Sequence, residues 1–155
     1  MKAKYIIWTV VGILLLSFGY YTISPLFISI KADEASPETV PKTSDVSLSP
    51  QIKSTPVTGT SGHPASGVVR VVEAEGKRYI RYENFKTING PDIYVYLAKN
   101  LDAKEFVNLG RVKANEGNIN YEIPAGVNMA DYPYVLTWCK AFGVLFNYAD
   151  LSLAR

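Results

Sequence analysis

The 155-residue chain has one cysteine, Cys139, and one histidine, His63. One of each excludes an internal disulfide, a Cys/His zinc cage and a two-histidine copper site built from this chain alone. No Ser/His/Asp arrangement, phosphate-binding loop or paired-carboxylate signature stands out either, so hydrolase chemistry has little support. In Tyr134-Val135-Leu136-Thr137-Trp138-Cys139, strand alternation sets Val135, Thr137 and Cys139 on one face and Tyr134, Leu136 and Trp138 on the other. Two readings of Cys139 stand side by side. It is a small buried hydrophobe, or it is a working thiol or thiolate whose neighbours Trp138 and Phe142 shape a pocket. Lys140 is adjacent but points to the opposite side. His63, in Gly62-His63-Pro64, reads as a solvated residue and a poor fixed ligand, and Met129 has no readable geometry. Asp92 ends an Asn89-Gly90-Pro91 turn and is expected to accept backbone hydrogen bonds there. Tyr94 and Tyr96, two of eleven tyrosines, share one strand face and could bind a partner or simply pack.

The elements that position these residues begin with Tyr5 to Ile30, twenty-six residues without a charge. At about 1.5 Å rise per residue this exceeds the roughly 20 residues that cross a bilayer, with room for a kink at Pro25. Lys2 and Lys4 precede it, while the residues after it carry mixed charge, so the amino terminus (1–4) is expected in the cytoplasm and the rest outside. The apolar stretch is longer than a cleaved signal's core, and the best cut, after Ala32, has Ile30 where a small residue belongs. An uncleaved anchor over 5–30 is therefore preferred. Outside the cytoplasm an unpaired thiol must be shielded, ligated, joined to another chain as a disulfide-linked dimer, or used for redox.

Residues 31–66 are rich in Pro, Ser and Thr without hydrophobic periodicity, and read as a disordered linker holding the domain near the membrane but not against it. Residues 67–155 read as strands: Val68 to Glu73 and Arg78 to Glu83 as a hairpin, then Ile93 to Leu97, Phe106 to Lys113, Asn118 to Ile123, Tyr134 to Cys139 and Val144 to Tyr148. Asn128 caps a helical turn to Tyr132. The fold class is all-β, an antiparallel sandwich or small barrel of about six to eight short strands. Sixteen basic against fourteen acidic residues, scattered singly, leave no footprint for nucleic acid.

Asn84-Phe85, Asn89-Gly90-Pro91-Asp92 with the strand after it, Leu109-Gly110, Gly117, Asn120-Tyr121, Ile123-Pro124 and Trp138-Cys139-Lys140-Ala141-Phe142 together resemble the DM thirteen domain over nearly all of 67–155. Phe146-Asn147-Tyr148-Ala149 has Asn where that family usually has Gly. The resemblance implies a small extracytoplasmic β domain, sometimes joined to haem-binding DOMON-type domains, with a redox or electron-transfer role proposed around a single cysteine, here Cys139. A cofactor such as haem is left open by it, and Cys139, Trp138 and Phe142 would be the residues around one. The rival expectation is a surface module that binds a protein or glycan through Asp92, Tyr94 and Tyr96.

Overall fold

The computed structural model describes residues 2–37 and 54–154. An apolar helix, α1 (Lys2–Ile23), runs into a 3-10 turn, Ser24–Phe27, with Pro25 at its start. No residue of α1 is buried, and the span Lys2–Phe27 is long and apolar enough to cross a membrane. At about 1.5 Å per residue, α1 alone measures roughly 33 Å, close to the ~30 Å of a hydrocarbon core.

Among the described residues ten strands follow: β1 (Lys31–Asp33), β2 (Thr55–Pro56), β3 (Thr58–Gly59), β4 (Ala65–Ala74), β5 (Lys77–Thr87), β6 (Ile93–Ala98), β7 (Phe106–Arg111), β8 (Glu116–Ile123), β9 (Tyr134–Cys139) and β10 (Val144–Asp150). They form two five-stranded sheets, in the orders β1-β8-β5-β4-β2 and β3-β10-β9-β6-β7. All pairings are antiparallel except β1 with β8. Val69, Ile80, Tyr82, Ile119 and Tyr121 of the first sheet meet Val95, Leu97, Val135 and Ala149 of the second in one core, so the fold is a sandwich. The seven long strands are those expected, and Asn128 caps its turn through Ala130 N–H at 3.2 Å.

The expected linker needs correction at both ends. β1 pairs with β8 only three residues after the 3-10 turn, so the sandwich begins where the helix stops. Ile30 N–H donates to Asn115 Oδ1 at 2.6 Å, and the Ile30 carbonyl accepts from the Asn115 and Glu116 amides. The apolar helical segment, expected to run to Ile30, thus ends before it, at Phe27. At the other end, Thr55 and Val57 are buried, β2 pairs with β4, and β4 starts at Ala65. The remainder of the expected linker, 38–53, lies outside the described residues. Strands of two or three residues have no hydrophobic period to betray them, and they exist here because tertiary partners supply their hydrogen bonds.

The β1 crossing depends on a glycine. Gly117 has φ +116°, and a Cβ there would lie 1.8 Å from the Ala32 carbonyl oxygen. From the end of β1, Asp33 to Ser36 lie across the outer side of the first sheet. Asn118 Nδ2 reaches Asp33 Oδ1 (2.6 Å), the Asn120 amide reaches Glu34 Oε2 (2.8 Å), Arg81 reaches the Glu34 carbonyl (3.1 Å) and Arg70 reaches Ser36 Oγ (3.2 Å).

Candidate functional site

Cys139 closes the central strand β9 and is fully buried, at 0% exposure. It faces Ile93 of β6 and Val144 of β10 across the ladder. Its apolar cluster contains Ile93 and Phe146, with Ile88 and Val112 packed against them. The β9–β10 register shifts between Leu145 and Asn147. That bulge turns both Phe146 and Asn147 inward, where strict alternation would send one of them out. Phe146 then packs with Cys139. The buried Asn147 donates from Nδ2 to Thr87 Oγ1 at 3.0 Å, while its Oδ1 has no partner among the described residues. Asn147, which stands where the resembled family has glycine, directly follows the bulged Phe146 and pairs with Thr137.

On its other side Phe146 meets His63. The rings stack with centroids 4.1 Å apart. His63 Nδ1 lies 3.2 Å from Thr60 Oγ1, and that hydroxyl contacts the carbonyls of Leu145 (2.7 Å) and Phe146 (3.0 Å). The expectation of a solvated His63 is corrected: a turn closing onto β10 fixes the ring, and proline-rich composition alone hid that turn. His63, Phe146, Asn89, Pro91, Phe142 and Val144 line a groove of about 230 Å³, completed by Thr22 and Leu26 of the apolar helix and its 3-10 turn.

Cys139 does not share a pocket with Trp138. Alternation holds as expected, so Trp138 points to the opposite face and belongs to a separate cluster with Leu136 and Tyr96. Phe142 sits in the β9–β10 turn, 48% exposed, and lines the groove together with Phe146. Asp92 also departs from expectation. Its carboxylate pairs with Arg111 at 2.8 Å, and only its backbone carbonyl serves the turn, accepting from Lys140 N–H at 2.8 Å. The turn amide of Gly90 is taken by Asn89 Oδ1 instead.

A haem held by Cys139 does not fit this packing. The thiol is enclosed by Ile93 and Phe146, and a macrocycle could approach Sγ only by displacing them. The groove beyond Phe146 is below the roughly 300–1,000 Å³ of ordinary ligand pockets. No group of three or more His, Cys, Asp or Glu that could hold a metal occurs among the described residues. A disulfide between two copies is likewise incompatible with the closed sandwich, since a bridge needs the two Cα atoms within about 7 Å.

A second candidate region covers the outer side of the second sheet. Tyr94 and Tyr96 lie there with Tyr134, Leu136, Trp138, Leu145 and Tyr148. Tyr96 stacks on Phe106 at 4.0 Å, Tyr134 meets Tyr148 edge-on at 6.4 Å, and the Arg111 and Lys140 cations each lie 5.6 Å from the Tyr94 ring. The pairing of Tyr94 with Trp138 and of Tyr96 with Leu136 across β6 and β9 builds this plane. The sequence signalled the tyrosines of β6; the partners from β9 and β10 needed the sheet order.

Neither a curated protein nor a solved structure matches the chain. A family model does, over residues 58–151, which takes in β3 to β10 and the whole region around Cys139. Its description is that of an electron-transfer domain, and it covers more than half of the sequence. The chain belongs to the Electron transfer DM13 family.

Proposed function

We propose that the chain is a single-pass membrane protein that carries an electron-transfer domain outside the cytoplasm, with Cys139 as its redox-active side chain. Family membership supplies the electron-transfer class. The carrying observation for the thiol is the bulge in β10, which brings Phe146 against the lone cysteine at one end of the sandwich. Bulges at such places commonly re-aim a side chain for a task. Burial suits a free thiol outside the cytoplasm, because bulk oxidants cannot reach it while the sandwich is closed. The unpaired Asn147 Oδ1 leaves a hydrogen-bond acceptor inside the same sheet end. The exposed apolar surface of α1 supports the anchor, and Lys2 and Lys4 support the orientation.

The full chain, purified in detergent, tests this by protein-film voltammetry and by mass spectrometry of the Cys139 sulfur before and after the electrode is poised at an oxidising potential. A redox response that Cys139→Ser abolishes is the expected result. A response unchanged in Cys139→Ser removes the thiol from the mechanism, and no response in either protein removes electron transfer by the chain alone.

A second reading has its own support in the partly exposed aromatic plane of Tyr94, Trp138 and Tyr148, within which Tyr96, stacked on Phe106, is buried at 3% exposure. A partner protein or glycan would bind there, and for an electron-transfer domain the partner of choice is the redox protein it serves, such as a haem-binding domain. Tyr and Trp suit this role, since they present large area at low entropic cost.

A further inference from the structure

Three residues, Ile28-Ser29-Ile30, separate the 3-10 turn from β1, and their backbone is held by the domain. Asn89 Nδ2 donates to the Ile28 carbonyl at 3.2 Å, and Asn115 and Glu116 hold Ile30. The helix therefore leads straight into one end of the sandwich. That same end carries the Ile88–Asp92 and Lys140–Gly143 connections. Phe142 is 48% exposed and Val144 36%, and both line a groove whose other wall is Thr22 and Leu26. The hairpin turn at Gly76 and the loop at Pro124–Gly126 lie at the opposite end, beyond the Arg78–Ile123 pair.

A bilayer crossed by Lys2–Phe27 places the end of that span at the lipid–water boundary. We propose that the sandwich docks end-on against the bilayer, with Ile88, Pro91, Phe142 and Val144 seated among lipid chains at the boundary. This rests on the anchor reading above, and the occupant follows from geometry: one wall of the groove is the membrane helix itself, so lipid is what fills the other side. Lys140 and Arg111 lie on the flank of the same end, at Tyr94, where cations meet lipid phosphates. Docking would put the Phe146–Cys139 cluster directly behind the membrane-facing groove.

The test uses the full chain, isotope-labelled, in phosphatidylcholine nanodiscs doped with a headgroup-spin-labelled lipid. Docking predicts loss of the amide signals of Gly90, Phe142, Gly143 and Val144, with those of Gly76 and Ala125 retained. The exposed-site variant Phe142→Asp/Val144→Asp is expected to restore the signals of Gly90 and Gly143. A chain that inserts but shows no loss at these loops, or equal loss at both ends, overturns docking while leaving the anchor. A chain that does not insert overturns both.

Discussion

On the outer side of the β1-β8-β5-β4-β2 sheet, Arg81 bonds Glu83 (2.8 Å), Asn120 (2.9 Å) and the Glu34 carbonyl (3.1 Å), under a segment of the chain's own backbone. On the outer side of the β3-β10-β9-β6-β7 sheet, Tyr94, Trp138, Leu145 and Tyr148 flank the fully buried Leu136, and among the described residues Ala103 is the one partly buried apolar side chain from outside the sheet that packs on that cluster. The first face has its polar groups matched by residues 33–36. The second has large aromatic rings that the chain itself leaves half in water. A face that supplies its own cover contributes stability, whereas a face of half-covered aromatics contributes less to folding and has area left for a partner.

The largest expected effect comes from lifting the cover. Gly117→Ala puts a Cβ against the Ala32 carbonyl and forces a side chain into φ +116°. The backbone conformation alone costs about 1–3 kcal/mol, and the clash adds to it by separating β1 from β8. Thermal unfolding of the full chain should drop, and amide exchange should rise first at Ala32–Glu34. If exchange there stays slow, the strap is held by something other than the β1–β8 ladder.

Arg81→Met comes next. It leaves the Glu34 carbonyl, Asn120 Oδ1 and one bond of Glu83 without the guanidinium, and the Arg81 side chain is 8% exposed. Breaking a buried pair costs about 3–5 kcal/mol, but Glu83 is partly solvated and keeps Arg70 at 3.0 Å, so about 2 kcal/mol is expected from denaturant titration. A loss no larger than that of an exposed pair such as Lys77–Glu122 would show that the network is ornamental.

Acid probes the same face more gently. Burial on its own would raise the Glu83 carboxyl, but the hydrogen bonds and charges of Arg81 and Arg70 outweigh it and hold the pKa below the ordinary 4.5. A depressed carboxylate stabilises the fold fully above its unfolded pKa and loses that contribution as pH falls through the folded one. Stability should therefore decline below about pH 4.5, and Glu83→Gln should flatten that decline. An unchanged acid limb in the variant would assign the loss to other carboxylates.

Much of this contrast was legible before the fold was known, and the reason differs by face. Alternation in Tyr94-Val95-Tyr96-Leu97 and in Tyr134 to Cys139 is a period-two signal carried by large side chains, so the face of each residue followed directly. The strap at Lys31–Asp33 and the pieces at 55–59 carry no such signal. The strap is set by Asn115, just before β8, and by Asn118 and Asn120 on it, more than eighty residues away, and the pieces at 55–59 by pairing with β4 and β10, whereas local composition pointed to disorder. The thiol's surroundings were half legible. Ile93 and Cys139 lie on the expected faces, but the bulge that brings in Phe146 breaks alternation, and His63 arrives through a turn that only tertiary contacts stabilise.

The smallest effect on folding, and the most informative about the open face, is expected from Tyr94→Ser. Tyr94 is half-buried on the outer side, with its ring between the Arg111 and Lys140 cations rather than in the main core. Cation–π contacts at exposed sites are worth about 0.5–1 kcal/mol, and partial burial adds little, so unfolding should shift by about 1 kcal/mol or less, well under the strap variants. If the aromatic plane is a partner surface, cross-linking of the full chain to a partner protein should fall far more than stability does. Leu136→Ala is the matched control. It removes a fully buried side chain from beneath the same plane, at about 2–5 kcal/mol, and so measures what the face loses through packing alone. Partner capture that follows stability across both variants would make the aromatic plane a second core. Capture lost in Tyr94→Ser with stability kept would make it the contact surface that the strapped face cannot be.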